Sequence, residues 1–208
     1  MTVLPFADYC DTNMRFNAGY GRDACMLIAV VGPSGAGKDT LMAGARVALE
    51  QDTRFRFVRR AITRPAEAGG EDHEALTETD FITRRDAGGF ALSWAAHGLH
   101  YGIPRDIEAD IAARRVVIAN LSRSVLLEAS ARYRLRVLNI SAPIELLAAR
   151  LAARGRETAT DIAARLAREV ALPNALDIEP VLNDADVAVG VARVLAALNR
   201  AASDAQGS

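Results

Sequence analysis

The segment that most restricts how this chain can fold is the glycine-rich stretch Gly32–Thr40, which reads GPSGAGKDT. It follows the apolar run Met26–Val31, which predicts a buried strand, and it precedes Leu41–Leu49, whose apolar spacing predicts a helix. Glycines in such a turn let backbone N–H groups converge on an anion, and the helix N-terminus adds partial positive charge. Strand, turn and helix together therefore predict a phosphate-binding loop of the P-loop type.

Lys38 strengthens this prediction, because it is the one lysine among the 25 lysine and arginine residues of the chain. A compact ammonium group and a planar guanidinium group are not interchangeable beside phosphates. A glycine-rich connector with an incidental lysine is the alternative, and the retention of this single lysine disfavours it. We expect Lys38 to reach the β- and γ-phosphates of a bound nucleotide.

ATP with Mg²⁺ is the ligand that this loop predicts. In the usual loop a Ser or Thr hydroxyl after the lysine binds the metal, but here Asp39 takes that place and Thr40 follows. Either residue could ligate Mg²⁺ through oxygen, or Asp39 could be an acid favoured by the helix dipole. The expected nucleotide contacts of the loop are Gly32, Pro33, Ser34, Gly35, Ala36, Gly37, Lys38, Asp39 and Thr40.

Apolar runs and helical patterns alternate along the chain, which favours an α/β fold with a five-stranded, mostly parallel sheet. We predict one domain over residues 26–200, together with a mobile lid. Residues 1–25 lack periodicity and read as a poorly ordered N-terminal extension, and 201–208 as a loose tail. The alternating arginine and apolar residues of Phe55–Ile62 predict one half-buried strand.

The balance of charge excludes several classes of partner. With a formal net charge of −1, the chain has no general attraction for nucleic acid or an anionic membrane surface. No apolar run reaches the length of a membrane span, and two cysteines do not make a disulfide framework. We therefore expect a cytoplasmic enzyme with a small-molecule substrate.

A second group of cations lies around residues 150–168. Arg150 and Arg154 share one helix face at a spacing of four, where like charges repel unless an anion lies between them. Phosphoryl transfer needs such cations on a mobile segment, because negative charge accumulates on the transferring group. A solvated arginine-rich helix is the alternative. Given the upstream loop, we predict that Arg150, Arg154 and Arg165 belong to a catalytic lid.

Arginines between residues 59 and 64 are candidates for holding an acceptor phosphate by bidentate contacts. Arg64 lies at the start of a loop rich in proline and glycine, whereas Arg59 could equally belong to an exposed strand face. The three histidines show no metal-ligand spacing. A catalytic base among them is the less favoured interpretation.

Taken together, these residues resemble the guanylate kinase family from about Met26 to Leu198. Its phosphate loop matches Gly32–Lys38, parts of its acceptor segment match Thr63-Arg64 and Gly70-Glu71, and its lid matches Arg150–Gly155 with Arg165. The resemblance also implies that Asn183 lies near the adenine of ATP. It further places Tyr101, within a Tyr-Gly pair, at the acceptor.

The chain departs from that family where guanine would be held. Ser93 replaces a glutamate, Asn120-x-Ser122 replaces Asp-x-Asp, and Arg60 adds a cation where a base edge would lie. This pattern resembles the subgroup that phosphorylates ribose 1,5-bisphosphate to 5-phospho-α-D-ribose 1-diphosphate in phosphonate catabolism. The resemblance implies that Arg60, Arg64 and Tyr101 bind that acceptor. A guanylate or other nucleoside-monophosphate kinase is the first alternative, and a non-catalytic binding module is the second.

Overall fold

The computed structural model describes residues 26–68, 71–152 and 172–206 of the 208-residue chain. Its strands are β1 (Met26–Val31), β2 (Phe55–Phe57), β3 (Arg60–Ile62), β4 (His73–Ala75), β5 (Phe90–Ala96), β6 (Leu99–Pro104), β7 (Val116–Asn120), β8 (Arg134–Ser141) and β9 (Asp177–Leu182). Its helices are α1 (Lys38–Ala48), α2 (Glu78–Asp86), α3 (Ile107–Ala112), α4 (Leu126–Arg132), α5 (Ile144–Ala152) and α6 (Val187–Gln206). The predicted extension 1–25 lies outside the described residues.

Five strands form the main sheet in the order β2-β7-β1-β8-β9, and every neighbouring pair is parallel. The predicted five-stranded α/β core is thus confirmed. Strand β1 is central and wholly buried, which is why its sequence is apolar throughout rather than alternating. Its carboxyl end leads straight into the glycine-rich loop, and β7 ends beside it with Asn120 opposite Val30. Ligands of open α/β sheets bind at this edge.

Successive residues of β1 point to opposite faces of the main sheet and belong to two separate hydrophobic cores. Ile28 and Val30 pack with α1 and α6 through Leu41 and Val194. Leu27 and Ala29 belong to the opposite core, which includes the apolar residues of β5, β6 and α3. Both cores converge on β1, so the loop that follows it has a rigid base.

A smaller sheet in the order β4-β3-β6-β5 lies beside the main one. The single strand predicted over Phe55–Ile62 was wrong: β2 pairs with β7 in the main sheet, whereas β3 pairs with β4 and β6 in the small one. The alternating pattern suits a half-buried strand in either sheet, so nothing local marks the crossing at Val58 and Arg59. The crossing places Arg60 between the two sheets.

The C-terminal helix extends further than the sequence predicts. Helix α6 continues to Gln206, and Ala201, Ala202 and Ala205 on its last turns are buried in the core. The expectation of a loose tail from 201 is therefore wrong for 201–206, because small alanines allow the helix to pack closely. Within the described ranges, no helix combines the length and hydrophobicity needed to cross a membrane.

Deletion of residues 201–208 is expected to destabilise the protein. Losing three buried alanine methyl groups removes about 2 kcal/mol of apolar burial. For a chain of this size that change lowers Tm by about 4–8 °C. Thermal unfolding followed by circular dichroism measures it, with deletion of 207–208 alone as the control. Equal Tm values for the two deletions would contradict the packing of the last turns.

Candidate active site

The glycine-rich loop takes backbone conformations that its glycines make available. Gly35 and Gly37 have φ values of 86° and 83°, in the left-handed region that disfavours other residues. A Cβ atom on Gly32 would lie 2.0 Å from the carbonyl oxygen of Ile140 in β8. The N-terminus of α1 has no side-chain cap at Gly37, which leaves its backbone N–H groups available to an anion.

Lys38 begins α1 and folds back over the loop. Its Nζ donates hydrogen bonds to the carbonyl oxygens of Gly32, at 2.9 Å, and Pro33, at 3.3 Å. Burial lowers the pKa of Lys38 most; the Asp39 carboxylate opposes this, while the guanidinium groups of Arg60 and Arg123 add to it. Anionic phosphate oxygens would stabilise the charged form of this desolvated ammonium more strongly than the two neutral carbonyl oxygens do.

Asn183 and Arg150 support the loop from the outside. The Asn183 side chain is buried, and its Nδ2 donates to the carbonyl oxygen of Ala36 at 2.7 Å. Arg150, on α5, donates from Nη1 to the carbonyl oxygen of Gly35 and from Nη2 to that of Asn183, both at 3.4 Å. These contacts fix the shape of the loop, and they place one predicted lid arginine directly against it.

Asp39 and Thr40 are exposed in the first turn of α1, immediately after Lys38. Their carboxylate and hydroxyl oxygens suit Mg²⁺, a hard cation that commonly binds through one or two protein oxygens, waters and substrate phosphates. Among the described residues, no group of three His, Cys, Asp or Glu side chains could hold a metal on its own. A metal at this position would therefore depend on the nucleotide for several of its ligands.

Arg60 lies at the start of β3 in the small sheet, and its contact with Asn120 at the end of β7 joins the two sheets. Its Nε donates to Oε1 of Glu71 at 2.8 Å and its Nη2 donates to the same oxygen. Nδ2 of Asn120 donates to Oε2 of Glu71 at 2.7 Å, and Nη1 of Arg60 donates to the carbonyl oxygen of Asn120 at 3.2 Å. The side chains of Arg60 and Glu71 are each 15% exposed, so this is a mostly buried ion pair.

Two aromatic rings lie against the same guanidinium group. Its central carbon is 5.1 Å from the centroid of the Tyr101 ring and 5.6 Å from that of Trp94. The two rings are themselves stacked, with centroids 5.4 Å apart and planes inclined by 6°. Arg60 is thereby fixed by charge at its edge and by π-electrons at its face.

Arg64 and His73 lie near the two ends of the segment that joins β3 to β4. Nη2 of Arg64 is 3.4 Å from Nδ1 of His73, and within the described part of the chain its buried Nε has no hydrogen-bond partner. The ring nitrogens of His73 lie 2.9 Å from the carbonyl oxygen of Glu71 and 3.0 Å from that of Arg64. The imidazole is buried and tied to the backbone, which favours a structural role over that of a base.

Comparison with known proteins identifies the relatives of the chain. It is 58% identical over 144 residues to ribose 1,5-bisphosphate phosphokinase PhnN of Brucella melitensis, which covers 69% of this chain and 75% of that protein. It is 44% identical over 182 residues to the PhnN protein of Agrobacterium fabrum, covering 86% of this chain and 100% of that one. The chain belongs to the ribose 1,5-bisphosphate phosphokinase family. No protein-family model matches it.

Membership of the ribose 1,5-bisphosphate phosphokinase family makes the protein a kinase, with a nucleotide and a small molecule as substrates. A solved guanylate kinase from Anaplasma phagocytophilum matches 86% of each chain with a TM-score of 0.61 and 17% identity. That likeness shows the guanylate kinase-like fold alone. The predicted resemblance and the predicted kinase activity are confirmed.

Within this family member, the structure brings together only some of the predicted site residues. The loop, Lys38, Arg150 and Asn183 form one group, and Arg60, Arg64 and Tyr101 form the facing one. Arg154 and Arg165 lie outside the described residues. Arg59 points away: it is 54% exposed in its side chain and pairs with Asp72 at 2.8 Å.

Sequence reasoning missed two parts of this pocket. It matched Glu71 to the acceptor segment of the family but did not predict that this carboxylate pairs with Arg60. It also passed over Arg123, which follows β7 and whose charge acts on Lys38. The position of Arg123 three residues after a strand that ends at the ligand-binding edge is a signal that could have identified it.

Proposed function

We propose that this protein uses ATP and Mg²⁺ to phosphorylate ribose 1,5-bisphosphate, forming 5-phospho-α-D-ribose 1-diphosphate. One observation carries the proposal. A phosphate loop with Lys38 lies near two further cations, Arg60 and Arg123, and Arg60 is held in place by Glu71 and by the backbone of Asn120. A group of cations placed in this way favours an acceptor rich in phosphate. The names of the relatives support the same reaction.

The nucleotide half of the reaction depends on residues 32–40. Backbone N–H groups of the loop and of the α1 N-terminus hold the phosphates, and Lys38 exchanges its two carbonyl partners for phosphate oxygens. Asp39 or Thr40 would hold Mg²⁺, which supplies neutralising charge between the terminal phosphates. Asn183 keeps the loop in shape through Ala36; contact between Asn183 and adenine remains a prediction.

The acceptor half depends on Arg60, Arg64 and Tyr101. Among the described residues, Glu71 and Asn120 accept from three of the five N–H donors of Arg60, which leaves one donor on Nη1 and one on Nη2 for an acceptor phosphate. Arg64 contributes its guanidinium group from the neighbouring loop. The attacking oxygen belongs to a phosphate that is already ionised near neutral pH, so the reaction requires no general base.

Charge on the migrating phosphoryl group is expected to be stabilised by arginines from the lid. Arg150 donates to the carbonyl oxygen of Gly35 within the phosphate loop, and this position supports a role next to the bound phosphates. Arg154 and Arg165 are proposed to act with it. The use of ATP is consistent with an enzyme of the cytoplasm, where we place it.

The test is an acceptor comparison with purified protein and Mg·ATP. Ribose 1,5-bisphosphate, GMP and AMP are offered separately, and ³¹P NMR follows the appearance of a diphosphate. We expect kcat/KM for the sugar bisphosphate to exceed that for either nucleotide by at least about a hundredfold. A preference for GMP would establish the nucleoside-monophosphate kinase alternative instead. Calorimetry with an ATP analogue tests the second alternative, since a non-catalytic module would bind none.

A further inference from the structure

We infer that Arg60 excludes nucleotides from the acceptor site by occupying the contacts that a purine base would need. The inference rests on the proposed function, since it concerns which acceptor the same cleft takes. It assigns Arg60 a role in specificity beyond holding a phosphate. Four segments of the chain build the arrangement, namely β3, the stretch before β4, the end of β7 and the β5–β6 pair.

The hydrogen-bonding capacity of Glu71 is largely used within the protein. Oε1 accepts from both Nε and Nη2 of Arg60, and Oε2 accepts from Nδ2 of Asn120 at 2.7 Å. A carboxylate oxygen has room for about two donors, so Oε1 is filled. Any ligand that required this carboxylate would first have to displace the guanidinium group.

The donor pattern of the guanidinium group matches that of one nucleobase. Guanine presents adjacent ring N–H and amino N–H donors on its base-pairing edge, and Arg60 presents adjacent Nε–H and Nη2–H donors to Glu71. Both groups are planar, and both stack on aromatic rings. Arg60 thus makes, from inside the protein, the contacts that guanine could otherwise make.

The aromatic surface of the cleft is occupied in the same way. The guanidinium carbon is 5.1 Å from the Tyr101 ring centroid and 5.6 Å from that of Trp94. A base entering this cleft would compete with Arg60 for both the rings and the carboxylate. Displacing Arg60 would break a mostly buried ion pair and leave its guanidinium group without its carboxylate partner, which is strongly unfavourable.

A sugar bisphosphate does not face this competition. It lacks a planar base, and its phosphates can accept from the two N–H donors of Arg60 that point away from Glu71 and Asn120. The same guanidinium group therefore rejects one acceptor and attracts the other. Arg60 would therefore contribute to specificity in two ways, by opposing a nucleotide and by favouring the sugar bisphosphate.

Substitution of Arg60 tests the inference. In Arg60→Ala the carboxylate of Glu71 and the two rings become available to a base. We expect kcat/KM for GMP itself to rise at least about tenfold over the wild-type protein. The ratio of the two acceptors is not sufficient, because the loss of Arg60 also weakens binding of ribose 1,5-bisphosphate. AMP should gain less than GMP, because its base-pairing edge offers one donor and one acceptor. Arg59→Ala is the matched control, and its kcat/KM for GMP should equal that of the wild type.

A second variant assigns the effect to the carboxylate. Adding Glu71→Gln to Arg60→Ala replaces an acceptor oxygen by a donor, and we expect it to abolish the gain for GMP. An Arg60→Ala protein with a native melting transition and an unchanged kcat/KM for GMP would overturn the inference, as would a gain that survives Glu71→Gln. If Arg60→Ala does not fold, Arg60→Met keeps an unbranched apolar side chain and removes the guanidinium group, and an unchanged kcat/KM for GMP in that variant would overturn the inference equally.

Failure of the inference and failure of the proposed function give different results. A wild-type protein that does not phosphorylate ribose 1,5-bisphosphate refutes the proposed function. For this case the absolute kcat/KM of each variant with GMP is the readout. Its rise in Arg60→Ala but not in Arg59→Ala would support exclusion of the base whatever the natural acceptor is.

Discussion

Replacement of Lys38 by alanine is expected to lower kcat/KM by at least about a thousandfold, because a preorganised charge on the transferring group is lost. The same change should leave Tm unchanged or slightly higher. Burial lowers the pKa of Lys38, which means that the charged form is less favourable in the folded protein than in the unfolded chain. Below the folded pKa the charge on this ammonium therefore opposes folding, which offsets the loss of its two hydrogen bonds to Gly32 and Pro33 in the alanine variant.

Lys38→Arg is the informative companion. It restores the positive charge. Its planar guanidinium group is larger than the ammonium group and does not fit the position where Nζ contacts the carbonyl oxygens of Gly32 and Pro33. We expect at least about a hundredfold loss for this variant as well. Steady-state kinetics with both substrates, together with thermal unfolding, measures the two effects. An active Lys38→Ala protein would refute the assignment of the phosphate loop.

The nucleotide half of the site could be predicted from the sequence because it is local. Strand β1, the glycines, Lys38 and α1 follow one another within 23 residues, Met26–Ala48, and each element has its own pattern. Apolar continuity identifies the buried strand, and the glycines identify the turn. The structure adds Asn183 and Arg150 as supports, although both arrive from distant segments.

The acceptor half could be predicted only in part, because it is assembled from separate segments. Arg60, Glu71 and Asn120 are brought together by the crossing between the two sheets, and no sequence period records that crossing. The replacements at Ser93 and at Asn120-x-Ser122 could be recognised by position along the chain. The pairing of Arg60 with Glu71 could not, because it depends on how the separate segments pack.

Gly32→Ala is the second change with a large expected effect. An added Cβ would lie 2.0 Å from the carbonyl oxygen of Ile140, and this neighbour is the backbone of a buried residue in β8. Neither partner can move away without shifting β1 or the loop, since the adjacent cores are closely packed. We expect nucleotide affinity to fall at least about a hundredfold, corresponding to roughly 3 kcal/mol. Calorimetry with an ATP analogue measures this loss.

Gly98→Ala separates the clash from ordinary backbone strain. Gly98 has a φ of 73°, which a side chain disfavours, yet a Cβ there would meet nothing within 4 Å. This variant should lose about 1 kcal/mol of stability and bind nucleotide as the wild type does. If Gly32→Ala binds the ATP analogue as tightly as Gly98→Ala, close approach of β8 does not shape the loop. If Gly98→Ala binds the ATP analogue more tightly than Gly32→Ala does, the shape of the phosphate site depends on the close approach of Gly32 to Ile140.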